Sequence, residues 1–268
     1  RAGIQQSSIR WREIPRITLQ GPAALGAAAF CTAIFTFAFL LPVGRLVWRS
    51  LEAGARNAPI GDALLNSLIL AAAGAVFAFV LALIIPLSIH TKGPLATVAR
   101  IAASSGYAIP GAVLALGALA VMSVLPFTLS GFMALAALAW VYAVRFTAAG
   151  AEPMAAALAR APASIGQAAE SLGATPLRRT FAVDLPVAMS GAAAAALVLF
   201  VEALKELPAT LMLRPFNWDT LAVRTHAYAS DERLAAAALP ALLITLAGLA
   251  PVILLSRQMS RARPGSAT

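Results

Sequence analysis

Cysteine and histidine are nearly absent from this chain: Cys31 is the single cysteine, and the two histidines stand far apart at His90 and His226. One cysteine excludes an intrachain disulfide, and no His/Cys spacing of the zinc type occurs, so no metal ligand is assigned. Cys31 lies in an apolar run and reads as a small packing residue. His226, Asp231 and Glu232 are close in sequence, but no second histidine is near, and a polar loop explains them better than a catalytic set. No catalytic residue is assigned. A phosphate-cradling glycine-rich loop with its lysine is also missing, so this chain is not read as an enzyme, and as a cofactor-free chain it must draw any ATP energy from elsewhere. Charge is scarce as well, at 12% of residues against about 25% in a soluble domain.

What remains is 60% hydrophobic, which marks an integral membrane protein. The net charge of +9 would suggest nucleic acid in a soluble chain. Beside apolar spans, the basic residues instead set topology and meet anionic lipid, and no nucleic-acid partner is expected. A bilayer core needs about 20 apolar residues per helix. On that scale six spans are expected: Pro22 to Val43, Ala63 to Ile89, Ser104 to Leu125, a shorter one ending at Val144, Val187 to Glu206, and Leu234 to Ser256. Pro110 is expected to kink the third, with buried neighbours satisfying the freed carbonyl. Arg45, Trp48 and Arg49 read as interface anchors. Residues 1–20 read as a linker or cytoplasmic lead-in, residues 21–258 as the membrane domain, and residues 259–268 as a flexible tail. With six spans both termini share one side, and placing them in the cytoplasm puts the excess of Lys and Arg there. Recurrent small residues, as in Ala71–Gly74 and Gly191–Ala193, predict tight helix packing, because lipid offers helices no reward for hiding apolar surface.

One polar interruption, about residues 150–186, organises the rest. Ser164 can cap a short helix with Gln167 three residues on. Gly173 stands where a left-handed residue ends that helix. Thr175 can cap a second helix with Pro176 at its first position, and Leu185–Pro186 opens the next apolar run. The reading is a helix–turn–helix elbow between spans four and five.

These residues carry a resemblance. Gln167-Ala168-Ala169, three residues, Gly173, nine residues, then Val183-x-Leu185-Pro186 is similar to the cytoplasmic signature loop of binding-protein-dependent ABC importer permeases. The family's usual pattern is Glu-Ala-Ala, three residues, Gly, nine residues, Ile-x-Leu-Pro. Gln replaces Glu and Val replaces Ile here, so a negative charge at the first position is lost. A second stretch, Lys205-Glu206-Leu207-Pro208-Ala209-Thr210, then Leu213-Arg214-Pro215-Phe216 and Thr220-Leu221-Ala222, resembles what the ferric-iron branch carries after its fifth core helix. Its charges can also be read locally: Glu202 and Glu206 would share a helix face, with Lys205 within pairing reach of Glu202.

The resemblance implies an all-α permease core of six transmembrane helices, of the type I importer kind, with a cytoplasmic coupling loop between helices 4 and 5. It implies import of Fe(III) across a bacterial inner membrane, with polyamine, thiamine or another small solute as alternatives in the same class. It further implies several partners: a second permease half, fused or separate, cytoplasmic ATPase subunits that bind the ATP, a periplasmic binding protein and membrane lipid. This chain resembles the second half of a fused permease. Gln167, Ala168, Ala169, Glu170, Gly173 and Pro186 would couple to the ATPase. Glu202, Lys205, Glu206, Pro208 and Thr210 are candidates for lining the path. An ion-driven secondary transporter would carry mid-span charges for coupling, which spans one to four lack, and a structural scaffold would not need the spaced loop.

Overall fold

The computed structural model of this chain describes residues 18–53, 60–83, 93–124 and 131–261. The lead-in up to residue 17, the end of the second expected span (84–89), the polar turn at His90 and Lys92, the break at Pro126 and the tail from 262 lie outside them.

Every regular element among the described residues is a helix. α1 (Pro22–Phe35) passes through a π turn (Thr36–Leu40) into α2 (Leu41–Ala53), and α3 (Gly61–Ala82) follows. α4 (Pro94–Ser105) ends in a 3-10 turn (Gly106–Ala108) ahead of α5 (Gly111–Val124). α6 (Gly131–Arg160) is the long central helix. α7 (Ala163–Ser171) and α8 (Pro176–Arg179) form the elbow, and a second π turn (Thr180–Asp184) leads to α9 (Leu185–Met189). α10 (Ala192–Leu204), α11 (Pro208–Leu213), α12 (Leu221–Ser230) and α13 (Leu234–Arg261) complete the order.

Both π turns stop immediately before a Leu–Pro pair, Leu41–Pro42 and Leu185–Pro186. A proline inside a helix offers no N–H and crowds the carbonyl four residues back. Widening the turn ahead of it lets the helix continue. For that reason Pro42 and Gly44 do not end the first helix at Val43 as expected, and it runs on to Ala53 with Trp48 donating Nε1 to Glu52 at 2.7 Å.

The expected six-span architecture is not what the chain forms. Among the described residues, three helices are long and apolar enough to cross a membrane: Pro22–Ala53, Gly61–Ala82 and Gly131–Ala159. A fourth is reached only if Pro176–Met189 and Ala192–Leu204, bent by 62° at their junction, count as one. The third expected span is broken at Gly106–Ala108, where Ile109 is extended (φ −83°, ψ 129°), the conformation a residue before proline prefers. That leaves only Gly111–Val124, and the apolar part of the last helix is likewise short, Leu234–Leu249. Conversely, Arg145 does not end a helix, and α6 continues through the first part of the expected loop to Arg160. Hydropathy counts apolar residues in a row, whereas the backbone breaks at glycine and proline inside those rows.

The core is the contact of α3, α6 and α10. α3 presents one small-residue face, Ala71, Gly74, Ala75, Ala78 and Ala82, all buried. Gly74 is required there, since a Cβ would stand 2.7 Å from Cδ2 of Tyr142. Tyr142 and Phe146, both buried, pack edge to face at 5.8 Å. Tight packing through small residues, read from the sequence, is what the helices use. Cys31, by contrast, is exposed on α1 and fills no gap.

Candidate functional site

Two assemblies of polar residues stand out, the elbow and a buried ion pair. In the elbow the expected capping box is not formed: α7 starts after Pro162, with no side-chain cap, so Ser164 and Gln167 lie inside the helix. Its far end follows the expectation. Gly173 has φ +80°, its N–H donates to the Glu170 carbonyl at 2.9 Å, and the Ala174 N–H donates to that of Ala169 at 3.0 Å. This is the paired bonding of a Schellman stop, which needs a left-handed residue. Thr175 then caps α8, accepting from the Arg178 N–H at 3.3 Å, with Pro176 next in line.

Three residues not singled out from the sequence hold the elbow closed. The Arg179 guanidinium sits against Gly166, where a Cβ would come within 2.7 Å of its Cζ. It pairs with Glu170 on the first arm and approaches Asp184 Oδ2, in the π turn, at 3.8 Å. Gly191 meets the backbone of α6 at Pro153, leaving 2.8 Å between a would-be Cβ and the Pro153 carbonyl carbon. Ile165, Ala168, Leu172 and Leu177 remain exposed beside the polar Ser164, Gln167, Ser171 and Arg178, so the elbow leaves several apolar side chains uncovered. Pro186 is exposed at the start of α9. The glycine at 166 four residues before Glu170, with an arginine and an aspartate beyond the turn, was the available signal.

The second assembly gathers around Glu206. α10 ends at Leu204, so Glu202 and Glu206 do not share a helix face. Glu202 stays on α10, and Lys205 pairs with it at 2.6 Å near the surface. Glu206 turns inward, its side chain only 6% exposed, and its Oε2 lies 3.3 Å from Nε of Arg145. Its Oε1 accepts the Ala209 N–H at 3.3 Å, serving the first turn of α11. Arg145 Nη1, half-buried, donates to the Ile109 carbonyl, immediately before Pro110, at 2.8 Å. Gly111 presses its Cα on the same pair: a Cβ there would be 3.2 Å from Arg145 Nη1 and closer still to the Glu206 carboxylate. Thr210, fully buried, donates to the Glu206 carbonyl at 2.7 Å and bonds the Tyr142 hydroxyl. Pro208 opens α11. Among the path candidates, then, Glu206, Pro208 and Thr210 come together, while Glu202 and Lys205 stand apart. Arg145 was visible in the sequence only as the first charge after a long charge-free run.

A third cluster pins the loop after α11 to α3. Asp219 pairs with Arg214 and with Arg224 (3.2 Å), its carbonyl accepts from Asn66, and the Leu221 N–H donates to Ser67 Oγ at 2.7 Å. Among the described residues, no three His, Cys, Asp or Glu side chains gather to hold a metal ion.

Fold and sites together define an all-helical protein with a few helices able to cross a membrane. No family model matches the chain. Over 93 residues it is 36% identical to the Fe(3+)-transport system permease protein FbpB 2 of Haemophilus influenzae; the match covers 35% of this chain and 18% of that protein. The relationship is distant and partial, and it is consistent with a role in membrane transport.

Proposed function

We propose that this chain is a permease subunit of an ATP-driven, binding-protein-dependent importer in a bacterial inner membrane, and that Fe(III) is its substrate. The elbow at residues 163–189 carries the reading. It is a stopped, capped and clamped two-arm unit that leaves large apolar side chains outside, with Leu172 88% and Leu177 70% exposed. Large exposed apolar side chains suit insertion into a partner's cleft. In this reading the cleft belongs to a separate cytoplasmic ATPase, and Gln167, Ala168, Ala169, Glu170 and Gly173 form the seat. The contact of Gly191 with Pro153 would pass a rigid-body movement of the elbow into α6. A second permease subunit or half completes the path, and a periplasmic binding protein supplies affinity. The partial likeness to a permease named for Fe(3+) transport supports the substrate.

The test is uptake of labelled Fe(III) by cells expressing the whole transport operon, with this chain present or deleted. Uptake that requires the chain and stops when ATP is depleted is the expected result. Uptake that persists without the chain refutes the substrate, and uptake that needs the chain but survives ATP depletion refutes the mechanism.

A further inference from the structure

Two of the helix breaks among the described residues face each other. One lies between α4 and α5, at Gly106–Pro110; the other lies between α10 and α11, at Lys205–Leu207. α11 packs along α5, and both rest on the unbroken α6. A broken helix leaves backbone groups unpaired, which at membrane depth is tolerated only inside protein or along a cavity. Here one ion pair serves both breaks: Arg145 donates to the Ile109 carbonyl of the first, and Glu206 accepts the Ala209 N–H of the second. Gly111 keeps the space between them clear for the carboxylate.

Stability alone does not account for the pair. A buried ion pair is commonly matched or bettered by apolar residues of the same size, and the surrounding core is built of such residues. A charge pair differs from two leucines in that another charge can undo it. We propose that Arg145 and Glu206 form a latch holding α5 and α11 shut at their breaks. A permeating cation releases it by competing with Arg145 for the Glu206 carboxylate. The release step rests on the transport reading above; the closure itself does not.

The experiment uses the complete transporter, expressed from its operon, in membrane vesicles. Cys31→Ser removes the native thiol, and Ala115→Cys places a reporter on α5 at a fully buried position. Labelling by a small water-soluble maleimide then reads the opening. The latch predicts slow labelling at rest, and faster labelling when Arg145→Gln or Glu206→Gln breaks the pair. It also predicts faster labelling during turnover with binding protein, ATP and ferric citrate.

The deciding variant is Arg145→Met with Glu206→Leu, checked for normal protein level and a single symmetric peak on gel filtration. It should label slowly, remain slow under turnover, and lose transport, because an apolar closure cannot be undone by charge. Wild-type transport by that double variant overturns the latch, as does unchanged labelling in both single variants. If ferric citrate leaves labelling slow while spermidine speeds it and is taken up, the latch stands and the Fe(III) reading falls.

Discussion

Replacing Gly173 tests the elbow with little else disturbed. Its φ of +80° lies in the left-handed region, and nothing comes within 4 Å of where a Cβ would sit. A substitution there loses no packing and meets no neighbour, so the backbone term stands alone. For an ordinary L-residue that term is about 1–2 kcal/mol, and a β-branched side chain is a true outlier in this region. A penalty of that size changes the ratio of closed to opened elbow by roughly 5–30-fold. Gly173→Val is therefore expected to lower the substrate transported per ATP hydrolysed by a factor in that range, in proteoliposomes holding the complete transporter. Gly173→Asn should fall between, because asparagine tolerates the left-handed conformation. Gly21 provides the control. It too has a positive φ (+58°) with nothing within 4 Å, but it precedes α1, far from the elbow in sequence. Gly21→Val should leave the ratio unchanged. A wild-type ratio for Gly173→Val, or an equal loss for Gly21→Val, would refute the argument.

Other positions give sharper or weaker effects. Gly191→Val drives a branched side chain into the Pro153 backbone of α6; overpacking of this kind costs about 1–3 kcal/mol, to be read as a lower thermal midpoint in detergent. Thr210→Val strips the bonds to Tyr142 and the Glu206 carbonyl in a fully buried setting, and a loss of about 1–3 kcal/mol is expected by the same melt. Lys205→Ala removes a pair whose lysine is more than half exposed, so its effect should stay within about 1 kcal/mol and shrink further in high salt. Removing Arg145 alone strands the buried Glu206 carboxylate, and Arg145→Met should cost about 3–5 kcal/mol, most of it recovered when Glu206→Leu is added; equal melts for the single and double variants would contradict the burial of this pair.

Local chemistry was legible from the residues alone. The Gly173 stop, the Thr175 cap with Pro176, the Lys205–Glu202 pair and the close packing at Ala71 and Gly74 each depend on neighbours a few positions away or on residue size. Helix, stop and cap follow from such short-range terms before any tertiary contact forms. The number of spans was not legible, because hydropathy is blind to where a backbone breaks. The proline at 110 ended a helix, while those at 42 and 186 were absorbed by a π turn. Exposed backbone at a break needs a partner. At the first break that was Arg145, on a helix that the apolar run did not lead one to extend so far. The same holds for Arg179 across Gly166, and for Glu206 turned from a helix face to a buried pair. An ion pair forms between residues distant in sequence only when the packed helices bring them within reach, and a carboxylate stays charged inside apolar protein only when a cation is held beside it. Composition and short spacing determined what kind of segments this chain has; the meeting of α5, α6 and α11 decided where its charges go.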